Sequence, residues 1–464
     1  MTAVVTDSFR QHLAELFLNE VLNSVDSNQF YVGIGKSDQY NDSDIVPTTY
    51  RTEREERLLR ANLQSIAKVA ASSLVIPRYN WSSGTLYDAW SDYVEGLPTN
   101  AYYVLTEDQE VYICLKQPKN EFGIPTASTV QPSYSRAGAD QNYAFHTADG
   151  YVWKFCYQLS AVRSNNFLSA SWMPIQNPAW ETLGDSSSLN TFDLQQLAVR
   201  NRARGGQVIG AALISGGSGY TSAPTVTING DGRYALATAT IAGGAVVKIE
   251  MDNESEAFGI DYSFADITIS GGGGSGASAR AIVGPRLGFG RDMVRDLKGS
   301  SIMMNVKTSG SVSGTFIADG TQDFRQIALI NNPLIRDGDG ARFTGSSDKV
   351  LRKLRLSDPA EAVTFTSDTL IRGDNSGAAA FIDEIDSDII YYHQNETTGF
   401  IQFENSELIL ESDGIGSGTI ADSGIDITQS TVDPFTGNIF YVENRARVVR
   451  DIAQQEDIKI IISL

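Results

Sequence analysis

The sequence predicts a mainly β fold with peripheral α-helices: an antiparallel β-sandwich core interrupted by two small inserted all-β repeat modules. Three observations predict it. The stretch Asp323 to Pro333, DFRQIALINNP, reads as one central strand, with Ile327, Leu329 and Asn331 on one side and Ala328, Ile330 and Asn332 on the other. Tyr151, Trp153, Phe155, Tyr157 and Leu159 alternate onto one face of a second strand. Two segments repeat internally: TVTINGDGRYALATATI (225–241) aligns with DITISGGGGSGASARAI (266–282), and FTSDTLIRGDNSGAAAFI (365–382) is echoed by FENSELILESDGIGSGTI (403–420). Period-two patterning around Gly-rich turns marks small β modules of hairpin or solenoid type. The predicted organisation is core residues 1–206, a Gly-rich module 207–285, core 286–358, a second module 359–430, and closing core strands 431–464.

In chain order, Thr6 to Val25 is predicted to be an amphipathic helix, capped by Thr6 or Asp7, with Phe9, Leu13, Leu16, Phe17 and Val21 on its apolar face. Phe30 to Ile34 reads as a strand, and Asp38 to Asp44 as a polar loop. Asp38, Asp42 and Asp44 lack the ordered spacing of a calcium loop, so a solvated loop is expected. Thr52 and Glu55 form a capping box for a helix placing Leu59, Leu63, Ile66 and Ala70 on one face. Its charged first turns read as a solvated, ion-paired face, a catalytic carboxylate pair being the minor alternative.

Ala101 to Lys116 reads as a hairpin around a TEDQ turn. The aromatic stripe that follows could serve as a carbohydrate platform, but a row of aromatics buries so much apolar area that a sandwich core is the preferred reading. Asp185 to Gly206 turns Ser- and Asn-rich, then polar-helical, then basic at Arg200, Arg202 and Arg204, and reads as a solvated connector. Gly271 to Gly276, GGGGSG, formally satisfies a dinucleotide fingerprint, but alternation continues on both sides and no helical pattern follows, so the reading is rejected. Asp337-Gly338-Asp339-Gly340 reads as successive turns as readily as a cation-loop fragment. The apolar end, Asp457 to Leu464, is expected to pair into a sheet.

The chain has 464 residues and is 41% apolar, which places it among globular proteins. A formal charge of −20 disfavours nucleic acid and anionic membrane as partners. The start shows no secretory pattern, and no apolar run is long enough to span a bilayer. Without export, the sequon Asn80-Trp81-Ser82 carries little weight, and Cys114 and Cys156 are expected as buried free thiols. His12, His146 and His393 are isolated in sequence, and there is no HExxH, CxxC or G-x-S-x-G motif. No catalytic, cofactor or metal residues are therefore assigned, and a non-enzymatic role is expected.

Several separated stretches resemble the dimeric baseplate wedge subunit of T-even-type contractile-tailed phages. They are VTDSFR near the start, FYVGIGKSDQY (30–40), IPRYNW (76–81), DGYVWKF (149–155), DFRQIALINNPL (323–334) and IFYVENRARVVRDIAQQEDIKIIISL (439–464). The resemblance implies a structural virion protein of the tail baseplate, assembled in the host cytoplasm. It also implies a homodimer packing against other wedge subunits, with no reaction catalysed. The matched positions Phe324, Arg325, Gln326, Asn331, Pro333, Tyr441, Glu443, Asn444 and Arg445 are expected to define the fold. Where the family often has a proline after the Asn-Arg pair, this chain has Ala446 and Arg447, which leaves the local turn open. Two alternatives stand beside this reading: a glycan-binding tail adhesin using the Gly-rich repeats, and a polysaccharide-cleaving enzyme.

Overall fold

The structure, a computed structural model, describes residues 4–22, 28–96, 99–133, 144–176, 189–252, 258–309, 323–336, 338–412, 414–425, 431–449 and 455–464. The chain is mainly β: antiparallel sheets dominate and helices are few. It divides into two compact units. One comprises Met1–Leu18, Ser73–Met303 and Ile461–Leu464; the other comprises Asn19–Ser72 and Met304–Ile460.

In the first unit, the predicted hairpin forms from Tyr103–Leu105 and Glu110–Lys116, and Val152–Gln158 and Ala144–His146 extend it into a four-stranded sheet. Tyr151, Trp153, Phe155 and Tyr157 are all fully buried, with Tyr151 and Trp153 stacked at 5.5 Å, so the aromatic stripe is core. The intervening Val152, Lys154 and Cys156 are also buried, so the strand is covered on both faces. Cys114 and Cys156 are buried free thiols, as expected.

The solvated connector needs correction. Residues 185–188 lie outside the described residues, but Thr191–Asn201 is a helix whose N-terminus is capped by Asn190, which accepts the Asp193 N–H at 3.0 Å. The helix buries Val199 against Tyr87, Trp153 and Phe155, because one apolar side per turn is enough to seat a polar helix on a sheet.

The Gly-rich segment is an all-β module. Its predicted strands form, but the strands of one copy do not pair with each other: the first strands pair between the copies, while the second strands pair with flanking strands, Ala237–Ala242 with Ala245–Met251 among them. Thr225–Gly230 of the first copy runs antiparallel to Ala265–Ser270 of the second, with Ile228 opposite Ile267. Val208–Ser218 pairs with Ser275–Val283, which brings the two ends of the module together. The glycines answer to two buried tyrosines. A Cβ on Gly232 would lie 2.4 Å from the Tyr262 ring, and one on Gly274 would lie 2.5 Å from the Tyr220 ring. Each copy thus gives up a side chain where the tyrosine just before the other copy lies against its backbone. That is why GGGGSG is a turn between strands, with no helix or phosphate cradle following.

In the second unit, a five-stranded sheet runs in the order Ser347–Lys349, Leu63–Lys68, Phe30–Gly35, Asp323–Asn331, Asn438–Val449. Every residue of Asp323–Asn331 is buried. Asn332 then turns the chain with φ of 52°, and Pro333, which has no N–H to donate, follows. The helix predicted through Ala70 is shorter than expected. It spans Glu53–Ala61, with Thr52 accepting the Glu55 N–H at 3.3 Å, and Leu63–Lys68 is a strand. Leu63 and Ile66 are buried at helix-like spacing only because this strand is covered on both sides, so pairing with Phe30–Gly35 overrides local propensity.

The second repetitive segment closes into a six-stranded barrel formed by Arg352–Leu356, Leu370–Gly373, Ala379–Asp386, Ile389–His393, Leu408–Glu411 and Ser417–Ile425. It therefore takes in the strand Arg352–Leu356, which lies before the residues assigned to the module from sequence. The barrel is two three-strand repeats. Their first strands pair with each other, Leu354 opposite Ile390, and so do their second strands, Ile371 opposite Glu411. Leu354, Ile371, Ile382, Ile390, Ile409 and Ile420 fill it, one from each strand.

The helix Asp7–Leu22 is present, and the Phe9 N–H donates to Thr6 at 3.4 Å; Asn23 to Val25 lie outside the described residues. Its predicted face holds only in part. Val21 is buried and Phe17 half-buried, but Phe9, Leu13 and Leu16 are 51%, 38% and 51% exposed, and Ala14, off that face, is buried. Periodicity shows which residues share a side of a helix; it does not show which side meets protein. Among the described residues, no helix is long and apolar enough to cross a membrane.

Candidate functional site

The matched positions converge on two neighbouring strands of the second unit. Gln326 lies opposite Asn444, Ile327 opposite Glu443, and Leu329 opposite Tyr441. Gln326 Nε2 donates to Asn444 Oδ1 at 2.8 Å, and Tyr441 donates its hydroxyl to Glu443 at 2.8 Å. The Asn444 N–H is satisfied by Thr49 Oγ1 at 3.2 Å. Phe324 is buried, and Asn331 accepts from the Asn332 amide at 3.0 Å. The open question at Ala446 and Arg447 resolves as a bulge. Phe324 pairs with Val448 and Gln326 with Asn444, so extra residues of the edge strand loop out. That bulge lets Arg447 reach Asp323.

Arg325 is the hub of this region. Its guanidinium is 3% exposed, and its Nε lies 2.8 and 2.9 Å from the two carboxylate oxygens of Asp44. Its Nη1 donates to Asp323 at 3.0 Å and also to the Ser37 carbonyl. The Tyr40 hydroxyl donates to the Arg325 carbonyl and accepts the Arg445 N–H at 3.2 Å. Hydrogen bonding from Arg325 holds the Asp44 carboxyl below its usual range.

A second buried cluster ties the same loop to the barrel. His393 Nδ1 is 2.7 Å from Asp383 Oδ2, and its Nε2 is 3.0 Å from Asp38 Oδ2. Asn395 also donates to Asp38, Ser37 donates to Asp383 at 3.1 Å, and Phe381 stacks on the imidazole at 5.6 Å. Burial pushes the His393 pKa down, but Asp383 and Asp38 outweigh it and raise it to about 10. The ring is therefore a cation at neutral pH, donating from both nitrogens. Burial pushes the Asp38 carboxyl up, but hydrogen bonds and charge from His393, with Asn395, hold it below its usual range.

Two expectations are corrected here. The loop is solvated at Gln39, Asn41, Asp42 and Ser43, but Asp38 and Asp44 are half-buried and anchored to buried cations. His393 is not isolated. Sequence distance hid its partners, although the acids inside the strand Ala379–Asp386 were a usable signal, since a charge at an inward strand position needs a counter-charge. Asp337 lies outside the described residues, while Asp339 and Gly340 form a turn with φ of 49° and 81°.

Ser37, His393 and Asp383 resemble a nucleophile relay only in composition. Ser37 Oγ and Asp383 both address Nδ1, at 3.5 and 2.7 Å, whereas a relay needs them on opposite ring nitrogens. An imidazolium with a pKa near 10 is also no general base at neutral pH. What this arrangement can do is hold a loop, a sheet and a barrel in one register. Among the described residues, no group of three or more His, Cys, Asp or Glu is placed to hold a metal ion. No protein-family model matches this sequence, and no curated protein matches it.

Proposed function

We propose that the chain is a structural virion protein, a baseplate wedge subunit of a contractile phage tail, acting through protein–protein packing in baseplate assembly and host attachment. One observation carries the reading. Stretches far apart in sequence that resemble the wedge family, FYVGIGKSDQY, DFRQIALINNPL and IFYVENRARVV, lie side by side as Phe30–Gly35, Asp323–Asn331 and Asn438–Val449. A resemblance scattered by chance has no reason to assemble into adjoining strands. The buried ion pairs at their ends suit a rigid part whose work is mechanical, and the charge of −20 suits partners with basic patches.

The partners in this reading are a second copy of the chain, joined across a two-fold axis, and other wedge subunits. The test is the mass of the purified protein in solution, alone and mixed with other tail proteins of the same virus. A dimer that shifts into a larger complex is expected. A monomer or trimer that ignores those proteins would sink the proposal.

A further inference from the structure

A pocket of about 290 Å³ in the second unit gathers four cations, Arg60, Arg336, Arg352 and Lys353, beside the His393 imidazolium, whose charge Asp38 and Asp383 already balance. Among the described residues no carboxylate lines it, although the chain as a whole carries a charge of −20. The side chains that form it come from separate places: the end of the helix Glu53–Ala61, the turn after Asp323–Asn331, and the first barrel strand.

None of the four is ion-paired among the described residues. Arg60 donates to the carbonyls of Pro434, Thr436 and Gly437 at 3.0, 2.5 and 2.8 Å. Arg352 donates to Gln394 at 2.9 Å and lies over the Tyr392 ring at 5.5 Å. Lys353 lies 5.7 Å from the Tyr391 ring. Arg336 Nε is buried with no hydrogen-bond partner among the described residues. Burial pushes the pKa values of Arg60 and Lys353 down, and the acids acting on them, Glu56 and Asp433 for Arg60 and Asp348 for Lys353, only partly oppose this.

Half-buried cations gathered without a lining carboxylate repel one another and lose part of their hydration. An orphaned guanidinium N–H compounds that cost. Phe400 and Phe435, 58% and 62% exposed, stand at the same pocket and offer apolar faces.

We propose that this pocket is an oxyanion-binding site for a compact carboxylated or phosphorylated ligand of about monosaccharide size. The guanidinium groups supply forked donors to the oxyanion, Arg336 gains the acceptor its Nε lacks, and the phenyl rings cover an attached ring. A volume near 290 Å³ is at the small end for ligand sites, which suits a single ring and excludes a long chain.

The test is isothermal titration of the full-length chain in low-salt, phosphate-free buffer with three probes: inorganic phosphate, glucuronate and glucose. Binding of phosphate or glucuronate, but not glucose, is expected. Arg336→Gln and Lys353→Gln should each weaken it about tenfold with a melting temperature that holds or rises. Arg336 has no described side-chain partner to lose, and Lys353→Gln provides a second variant if Arg336→Gln fails to fold. Glucuronate alone would assign a ring-borne carboxylate, phosphate alone a free or esterified phosphate, and both an oxyanion of either source. Silence from both anions, equal binding of glucose, or affinity unchanged in both variants would overturn the proposal.

Discussion

Arg325 and Asp44 form a two-point ion pair, with Arg325 Nε 2.8 and 2.9 Å from the carboxylate oxygens and the guanidinium almost wholly buried. The pair joins the central strand to the loop that follows the first strand of the same sheet. Removing Arg325 leaves Asp44 without a counter-ion and the buried Asp323 with Arg447 alone, whereas removing Asp44 leaves Arg325 still paired. Arg325→Met should therefore cost about 3–5 kcal/mol, more than Asp44→Asn, which leaves Asp323 to pair with the arginine. Urea melts of both variants check this; a loss under about 1 kcal/mol for Arg325→Met would show that the network is dispensable.

His393 makes stability depend on pH in a defined direction. Its pKa is raised from 6.5 to about 10 in the folded chain, so the folded state binds the proton more tightly. The stability it contributes is fully present below pH 6.5 and is lost as pH rises toward about 10. The stability gap between the native chain and His393→Gln should narrow across that window. A gap that stays constant would mean that the imidazole is not charged between Asp38 and Asp383.

Lys154 should act in the opposite sense. Burial is the main cause lowering its pKa from 10.5 to about 8, so between those values the unfolded chain binds more protons and stability rises with pH. Below pH 8 the buried ammonium costs on the order of 3 kcal/mol. Lys154→Met is expected to raise the melting temperature at neutral pH and to flatten the rise above pH 8. A destabilised variant would show that the ammonium has compensating partners.

The reciprocal tyrosine–glycine packing predicts that Gly274→Ala is expensive although its backbone conformation is ordinary. The new Cβ would meet the Tyr220 ring at 2.5 Å and the Ser218 carbonyl at 2.6 Å. A cost of about 1–3 kcal/mol is expected, localised to residues 207–285 by hydrogen exchange. Gly232→Ala should behave likewise against Tyr262.

Strand identity was legible wherever alternation was strong. DFRQIALINNP, the aromatic strand at Tyr151 and both repeats became strands close to their expected positions. The expectation failed at Leu63–Lys68, where residues buried on both sides imitate a helical period, and in part at Thr191–Asn201, where the polar helix forms but is seated on the sheet through Val199. The fold-defining positions were recognisable through resemblance, but their partners were not. Nothing local to Arg325 points to Asp44, and nothing local to His393 points to Asp38.

By itself the sequence determined the mainly β class, the presence of strands in the two repetitive segments, and the burial of the thiols and aromatic stripe. These follow from side-chain alternation, turn chemistry and apolar area, all of which act over a few residues. Tertiary structure alone decided that the first module pairs the first strands of its two copies with each other, that the second closes into a barrel, and that lone charges scattered over the chain become ion pairs and a cationic pocket. Register and charge pairing depend on which distant strands meet, and that is settled by the packing of the whole unit.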